Sequence, residues 1–197
     1  MNKAKGKTRR IISMNTASFW LSVLSLAGGF TSAQAVEAMC NYENGAVVAS
    51  TPSVDFTVHP DGTVTHNSTG LMWMRCSLGQ QWDGMTCSGQ YQHVFSWTTA
   101  LAAAEGEVFA GYSDWRLPNK HELASIVEQR CLYPSINSQI FPQTHNSWYW
   151  TSSPVVVNGV VRGWPVWFTT GMVIQSWDEG ESGAGIGGVI RLVRTAP

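Results

Sequence analysis

Five histidines, at positions 59, 66, 93, 121 and 145, and four cysteines, at 40, 76, 87 and 131, are the side chains here best suited to chemistry. Imidazoles bind metal or move protons when two sit four residues apart on a helix, as in His-Glu-x-x-His, and no such spacing occurs. His121-Glu122 reads instead as an exposed helix pair. A Ser-His-Asp hydrolase of the common elbow type carries Gly-x-Ser-x-Gly, which is absent. Structural zinc wants tight Cys-x-x-Cys or Cys/His pairs, and none of the cysteine spacings fits. Binding rather than catalysis is the expected chemistry, with no metal and no cofactor.

An even number of cysteines fits disulfides in an oxidising compartment. Cys76 and Cys87 flank a loop with turn formers at Gly79 and Asp83-Gly84, so they are expected to close a hairpin. Cys40 is then left for Cys131. In the loop-entropy model the short bridge contributes about 3 kcal/mol and the long one about 4–5 kcal/mol.

The elements that position these groups are short. Thr57–Thr65 predicts two strands about Pro60-Asp61-Gly62, and Thr69–Met74 a third strand. Trp97, Ala100, Leu101 and Ala104 repeat at helical spacing behind a Ser96 cap. A second helix is expected from an Asn119 cap, with Glu122 completing a capping box and Leu123, Ile126 and Val127 on its apolar side, ending near Arg130. Beyond Pro134 the pattern is β: 147–152, 155–161 about Asn158-Gly159, 164–169, 172–177 and 189–194. Residues 178–188 are glycine-rich and acidic and read as a mobile loop.

Residues 1–35 read as a signal peptide: a basic start, an apolar run from Phe19 to Phe30, and Ala33-Gln34-Ala35 as a cleavage site. The run is too short to span a membrane, which takes about 20 residues. Residues 36–53 form an N-terminal segment tied down by the long disulfide, and 54–197 the domain. Five of the 12 Lys and Arg lie in the first ten residues and all 13 Asp and Glu lie after residue 35, so the chain beyond that point carries a net charge of −6. Lys120 is its one lysine. Clustered cations, which nucleic acids require, are missing. The expected location is exported: periplasmic, cell-surface or secreted.

In Asp114-Trp115-Arg116-Leu117-Pro118, Asp114 and Arg116 lie two apart, share a face of an extended segment, and could tie backbone or each other while Trp115 and Leu117 fill the core. Pro118 fixes the chain before the Asn119 cap. All five are read as structural. In Tyr149-Trp150-Thr151-Ser152-Ser153, alternation buries one aromatic and exposes the other. Trp164 and Trp167 cannot share a face at period two, so at least one is expected at the surface.

Together with Thr69-Gly70-Leu71-Met72-Trp73, Phe95-Ser96-Trp97, Gly111-Tyr112-Ser113, Pro134-Ser135-Ile136-Asn137, Trp167-Phe168 and Val193-Arg194, these runs resemble the Lcl C-terminal domain family over roughly residues 54 to 195. The resemblance implies an α+β, C-type-lectin-like fold of two helices packed on antiparallel sheets and hairpins, distantly related to formylglycine-generating enzymes. Those enzymes use cysteines in their C-terminal half, and no cysteine follows Cys131 here. It also implies Trp150 as core and an exported bacterial domain. The adhesin that names the family binds sulfated glycans, which this acidic chain is poorly equipped to meet, so a neutral glycan or a protein surface is the expected ligand.

Recognition residues tend to lie on loops held by a rigid scaffold. His145, Asn146 and Trp148 precede one strand, Asn158, Arg162 and Trp164 border a hairpin, and Trp177, Asp178 and Glu179 open the glycine-rich loop. In a lectin-like fold these loops would share one face, and they are the candidate ligand-binding residues. Asp178, Glu179 and Glu181 could offer oxygens to calcium, but the Glu-Pro-Asn or Gln-Pro-Asp motif of calcium-dependent lectins is absent. The alternative is a structural or oligomerising subunit of a surface assembly, although no coiled-coil or collagen-like stretch enforces trimers.

Overall fold

The computed structural model describes residues 40–174 and 187–197. The expected signal peptide and Trp177, Asp178, Glu179 and Glu181 fall outside the described residues, as does most of the glycine-rich loop.

The chain begins with β1 (Tyr42–Glu43), then β2 (Phe56–Val58), β3 (Thr63–His66) and β4 (Leu71–Met74), an antiparallel meander. Thr63–His66 reads Thr-Val-Thr-His, a β-branched run that suits a strand buried at nearly every position. The Asp61 carboxylate accepts from the Thr63 amide and hydroxyl at 2.9 and 2.7 Å, closing the Pro-Asp-Gly turn. A small hairpin, β5 (Gln81–Trp82) and β6 (Cys87–Ser88), follows.

The helix α1 spans Trp97–Ala104 and is capped as expected, Ser96 accepting from the Thr99 amide at 3.2 Å. The second helix, α2, covers only Lys120–Ala124. Its capping box is present, but the helix does not run to Arg130. Tighter turns take over, with the Val127 amide donating to Ala124, and they deliver Glu128 to a buried position. There its carboxylate accepts from the backbone of Ser50, Thr51 and Arg130, at 2.9, 2.6 and 2.9 Å. A buried carboxylate needs such donors, and three amides supply them more fully than another helical turn would.

After β7 (Cys131–Leu132), which pairs with β1, come β8 (Trp148–Tyr149), β9 (Pro154–Val157), β10 (Val160–Gly163), β11 (Val166–Trp167), β12 (Met172–Val173) and β13 (Val193–Thr195). The hairpin of β9 and β10 turns at Asn158-Gly159 as expected, Asn158 holding the left-handed φ of 52° that a type I′ turn demands. The ladders 147–152, 164–169 and 189–194 are shorter than expected. Backbone bonding continues past them, Trp150 N–H donating to Val189 at 2.9 Å, but through a single parallel bridge rather than a ladder.

The last strand, β13, returns to β4, so the main sheet runs β13-β4-β3-β2. Alternation on β4 sends Trp73 into one core with Phe56, Leu123, Ile126, Phe141 and Val193. Met72 and Met74 enter a second core with Ala100, Trp115, Leu117 and Leu192. The chain near β8 is likewise shared between the two. Tyr149 fills the first core and Trp150 the second, so both are buried and neither is exposed. The alternation rule assumed one solvated face, and here both faces are covered.

Both disulfides pair as expected, Cys40 with Cys131 and Cys76 with Cys87. Among the described residues no helix is long and apolar enough to cross a membrane.

Candidate functional site

The Asp-Trp-Arg-Leu-Pro segment is held as a frame. Trp115 and Leu117 are buried, and the Trp115 indole donates to the Phe109 carbonyl at 3.1 Å. Asp114 and Arg116 do not pair with each other. Asp114 accepts from Arg194 Nε at 2.7 Å, and the Arg194 guanidinium lies 3.8 Å over the Tyr112 ring. Arg116 makes a bidentate pair with Glu122, 2.8 and 2.7 Å, and Glu122 also accepts from the Asn119 amide at 2.8 Å. One carboxylate thus completes both the helix cap and the ion pair. The hydrogen bond from Arg116 holds the Glu122 carboxyl below its ordinary range, as Arg194 does for Asp114. The Pro118 carbonyl accepts from the Ser152 amide at 2.7 Å, linking the segment to the chain just after Trp150.

His145 stands on a different part of the surface. It stacks on Tyr91 at 4.2 Å between ring centroids, and Tyr91 Oη and His145 Nε2 lie 2.8 Å apart. Its backbone N–H donates to the Tyr149 hydroxyl at 3.1 Å, which fixes it to the core below. Burial, then the neighbouring His93, holds the His145 imidazole below its ordinary value, so the ring is neutral near pH 7.

Tyr91 belongs to the irregular stretch Tyr91-Gln92-His93-Val94-Phe95, whose Gln92 and Val94 amides donate to the Leu78 and Gly188 carbonyls at 2.7 and 3.0 Å. Val94 is buried, while His93 is exposed and Phe95 is 59% exposed. His93 packs 4.7 Å from Tyr91 and 6.4 Å from Phe95, and its Nδ1 meets the Gly187 carbonyl at 3.1 Å. Four rings, from His145 through Tyr91 and His93 to Phe95, therefore form one surface strip. Sequence reasoning found His145 and missed the other three. The signal was present as rings at every second position between Cys87 and α1, a period-two pattern outside any ladder.

Trp148 lies beside this strip and is half-buried, edge-on to Trp150 at 4.6 Å. Gly187 and Gly188 separate the two. A Cβ on Gly188 would fall 2.7 Å from the Trp148 ring, and one on Gly187 would fall 3.2 Å from both His93 and Phe95. The close approach of Trp148 and Trp150 favours glycine at 188, whereas a Cβ at 187 would be tight but not excluded. Asn146 is exposed next to His145. His145, Asn146 and Trp148 thus lie on one stretch of chain beside the strip.

The other candidates lie on the β9–β10 side. Asn158 is exposed at the hairpin turn and Arg162 is half-buried opposite Val155. Trp164 is half-buried with Lys120 Nζ 4.0 Å from its ring centroid, and Trp167 is also half-buried, so neither is fully presented. Among the described residues no three His, Cys, Asp or Glu side chains gather at metal-binding range.

The family model of the Lcl C-terminal domain matches residues 62–194. The chain belongs to the Lcl C-terminal domain family. No curated protein and no solved structure matches it. The matched span holds the frame and the ring strip alike. Cys40 and Glu43 lie before it, joined to the Lcl domain by the Cys40–Cys131 bridge and by a 3.2 Å ion pair from Arg130 to Glu43.

Proposed function

We propose that this Lcl domain is an exported, non-catalytic binding module that recognises an uncharged extracellular glycan on the face of His145, Tyr91, His93 and Phe95. The observation that carries this reading is the ring strip itself. A solvent-facing row of rings gives apolar area at low entropic cost, and the imidazole and hydroxyl edges beside it can exchange hydrogen bonds with sugar hydroxyls. Phe95 supplies the open apolar face, His93 and Asn146 the polar edges. Among the described residues the hydrogen bonds and ring contacts of the strip run between its own rings and to Tyr149 and Gly187, all uncharged partners, which suits a neutral ligand.

A C-type-lectin-like arrangement is part of this proposal. Two short helices on antiparallel sheets, a C-terminal strand returning to the first meander, and a bridge tying the N-terminal segment to mid-chain support it. The two disulfides support export. A glycan array probed with residues 36–197 at physiological salt, with and without calcium, tests the function. Saturable binding to neutral glycans is expected, and a blank array would set the glycan reading aside.

One observation favours a second reading, a subunit of a surface assembly. The β9–β10 hairpin pairs with no other strand among the described residues, and Val156, Val160 and Val161 on it are 67, 51 and 58% exposed. Uncovered apolar hairpins invite pairing with another chain. Concentration-dependent mass in light scattering, lost in Val156→Lys, would support that reading.

A further inference from the structure

Arg191 is fully buried, its guanidinium carbon 4.9 Å from the Phe141 ring centroid and 5.8 Å from that of Tyr149. Its hydrogen bonds go to uncharged acceptors. Nη1 donates to the Met74 carbonyl at 3.0 Å and to the Arg75 carbonyl, and Nη2 to the Thr144 hydroxyl at 2.8 Å. Arg75, also buried, donates through Nε and Nη2 to the Ile140 and Gln139 carbonyls, both at 2.8 Å. The Thr144 hydroxyl in turn donates to the Phe141 carbonyl at 2.8 Å. One residue on, the His145 amide donates to the Tyr149 hydroxyl at 3.1 Å, which also meets Ser77 Oγ at 2.9 Å.

Residues 139–145 belong to no helix or strand, yet buried side chains hold them at nearly every step. Within them Gln143 keeps a left-handed φ of 53°, a conformation that a residue with a Cβ retains only where its surroundings over-determine it. A buried guanidinium without a carboxylate is costly, and buried charges are often replaced by apolar side chains with no loss of stability. Stability alone therefore does not account for Arg191. We infer that Arg191 and Tyr149 are positioning residues for the proposed binding face, fixing residues 139–145 so that His145 lies against Tyr91 before a ligand arrives. This rests on the reading of the ring strip as that face. A face ordered in advance loses less freedom on binding, which is what a strip of single rings needs to hold a ligand.

The test uses Tyr149→Phe and Thr144→Val in the intact domain, which keep the buried bulk and delete the two hydroxyls through which the network reaches His145. Tyr149→Phe should speed hydrogen exchange of the His145 amide at least tenfold. Thr144→Val should move the His145 ring protons downfield in NMR spectra as the stack on Tyr91 loosens. Main-sheet amides should stay protected in both variants. Each should bind the neutral glycan selected on the array roughly tenfold more weakly. A His145 amide and ring left unchanged in both variants would overturn the positioning role, as would unaltered affinity once His145 is loosened. Main-sheet protection lost together with that of His145 would mark a merely structural role and also overturn it. A blank array would count against the glycan reading, and the two NMR readouts would still decide the positioning role.

Discussion

The Asp-Trp-Arg-Leu-Pro frame and the Tyr91–Phe95 strip are both built from rings and polar edges, but they differ in how much of each ring is left open to solvent. In the frame Asp114, Arg116 and Glu122 each find an intramolecular partner, and the Trp115 indole and ring are both taken up by the protein. In the strip Tyr91 and His145 partner each other and His93 Nδ1 meets the Gly187 carbonyl, but His93 and Asn146 are exposed and Phe95 leaves most of its surface open. The most recognisable run of the chain is thus the part that holds it together. The part proposed to meet a ligand is a plain-looking linker between Cys87 and α1.

This contrast can be broken by substitution, the largest effects falling on the frame side. Removing the Cys40–Cys131 bridge as a double alanine variant should cost about 4–5 kcal/mol in urea unfolding, against about 3 kcal/mol for Cys76–Cys87, because the loops close over 91 and 11 residues. Equal losses would mean that the N-terminal segment is not tied to the domain in solution. Glu122→Ala should cost about 1–2 kcal/mol, since one carboxylate serves the cap and the Arg116 pair and alanine accepts from neither. A loss confined to the ordinary surface range, about 0.5 kcal/mol or less, would contradict that double role.

Acid should sharpen the comparison in two stages. His66 and His145 are held below the ordinary histidine value of 6.5, burial being the main cause in each. The unfolded chain therefore takes up their protons first, and stability falls as pH drops below 6.5 toward the folded values. Burial pushes the Glu128 carboxyl up, but the amides of Arg130, Ser50 and Thr51 outweigh it, and Arg116 draws Glu122 down. Both carboxyls sit below their ordinary value of 4.5, so their contribution is present above that pH and is lost as pH falls through the folded values. The urea midpoint should decline gently below pH 6.5 and steeply below 4.5. Flat stability down to pH 4, or one acid step that Glu128→Gln leaves unchanged, would contradict the assignment.

Much of the fold was legible in sequence because its signals are local. Ser96 and Glu122 announce helix starts by hydrogen bonds within three residues, Asn158-Gly159 needs only its own backbone angles, and the turn formers between Cys76 and Cys87 bring those sulfurs together. What was illegible is tertiary. The early end of α2 follows from the need of Glu128 for amides nearly 80 residues away, at Ser50 and Thr51. The burial of both Tyr149 and Trp150 follows from two cores meeting at one strand. Of the site, His145 was found through its loop position, but its stacking partner Tyr91 is 54 residues distant in sequence. Tyr91, His93 and Phe95 alternate in sequence but join no strand of a ladder, so nothing in the pattern tied them to His145.

The smallest expected change in stability carries the central claim. Phe95→Ala alters a side chain that is 59% exposed and should shift the unfolding free energy by no more than about 0.5 kcal/mol. The decisive measurement is therefore glycan affinity and melting temperature taken together on Phe95→Ala and Glu122→Ala. The account predicts that Phe95→Ala keeps its melting temperature and loses binding, whereas Glu122→Ala melts lower yet binds with unchanged affinity while folded. Unaltered binding by Phe95→Ala, or binding lost only in Glu122→Ala, would place the ligand on the frame and contradict the account.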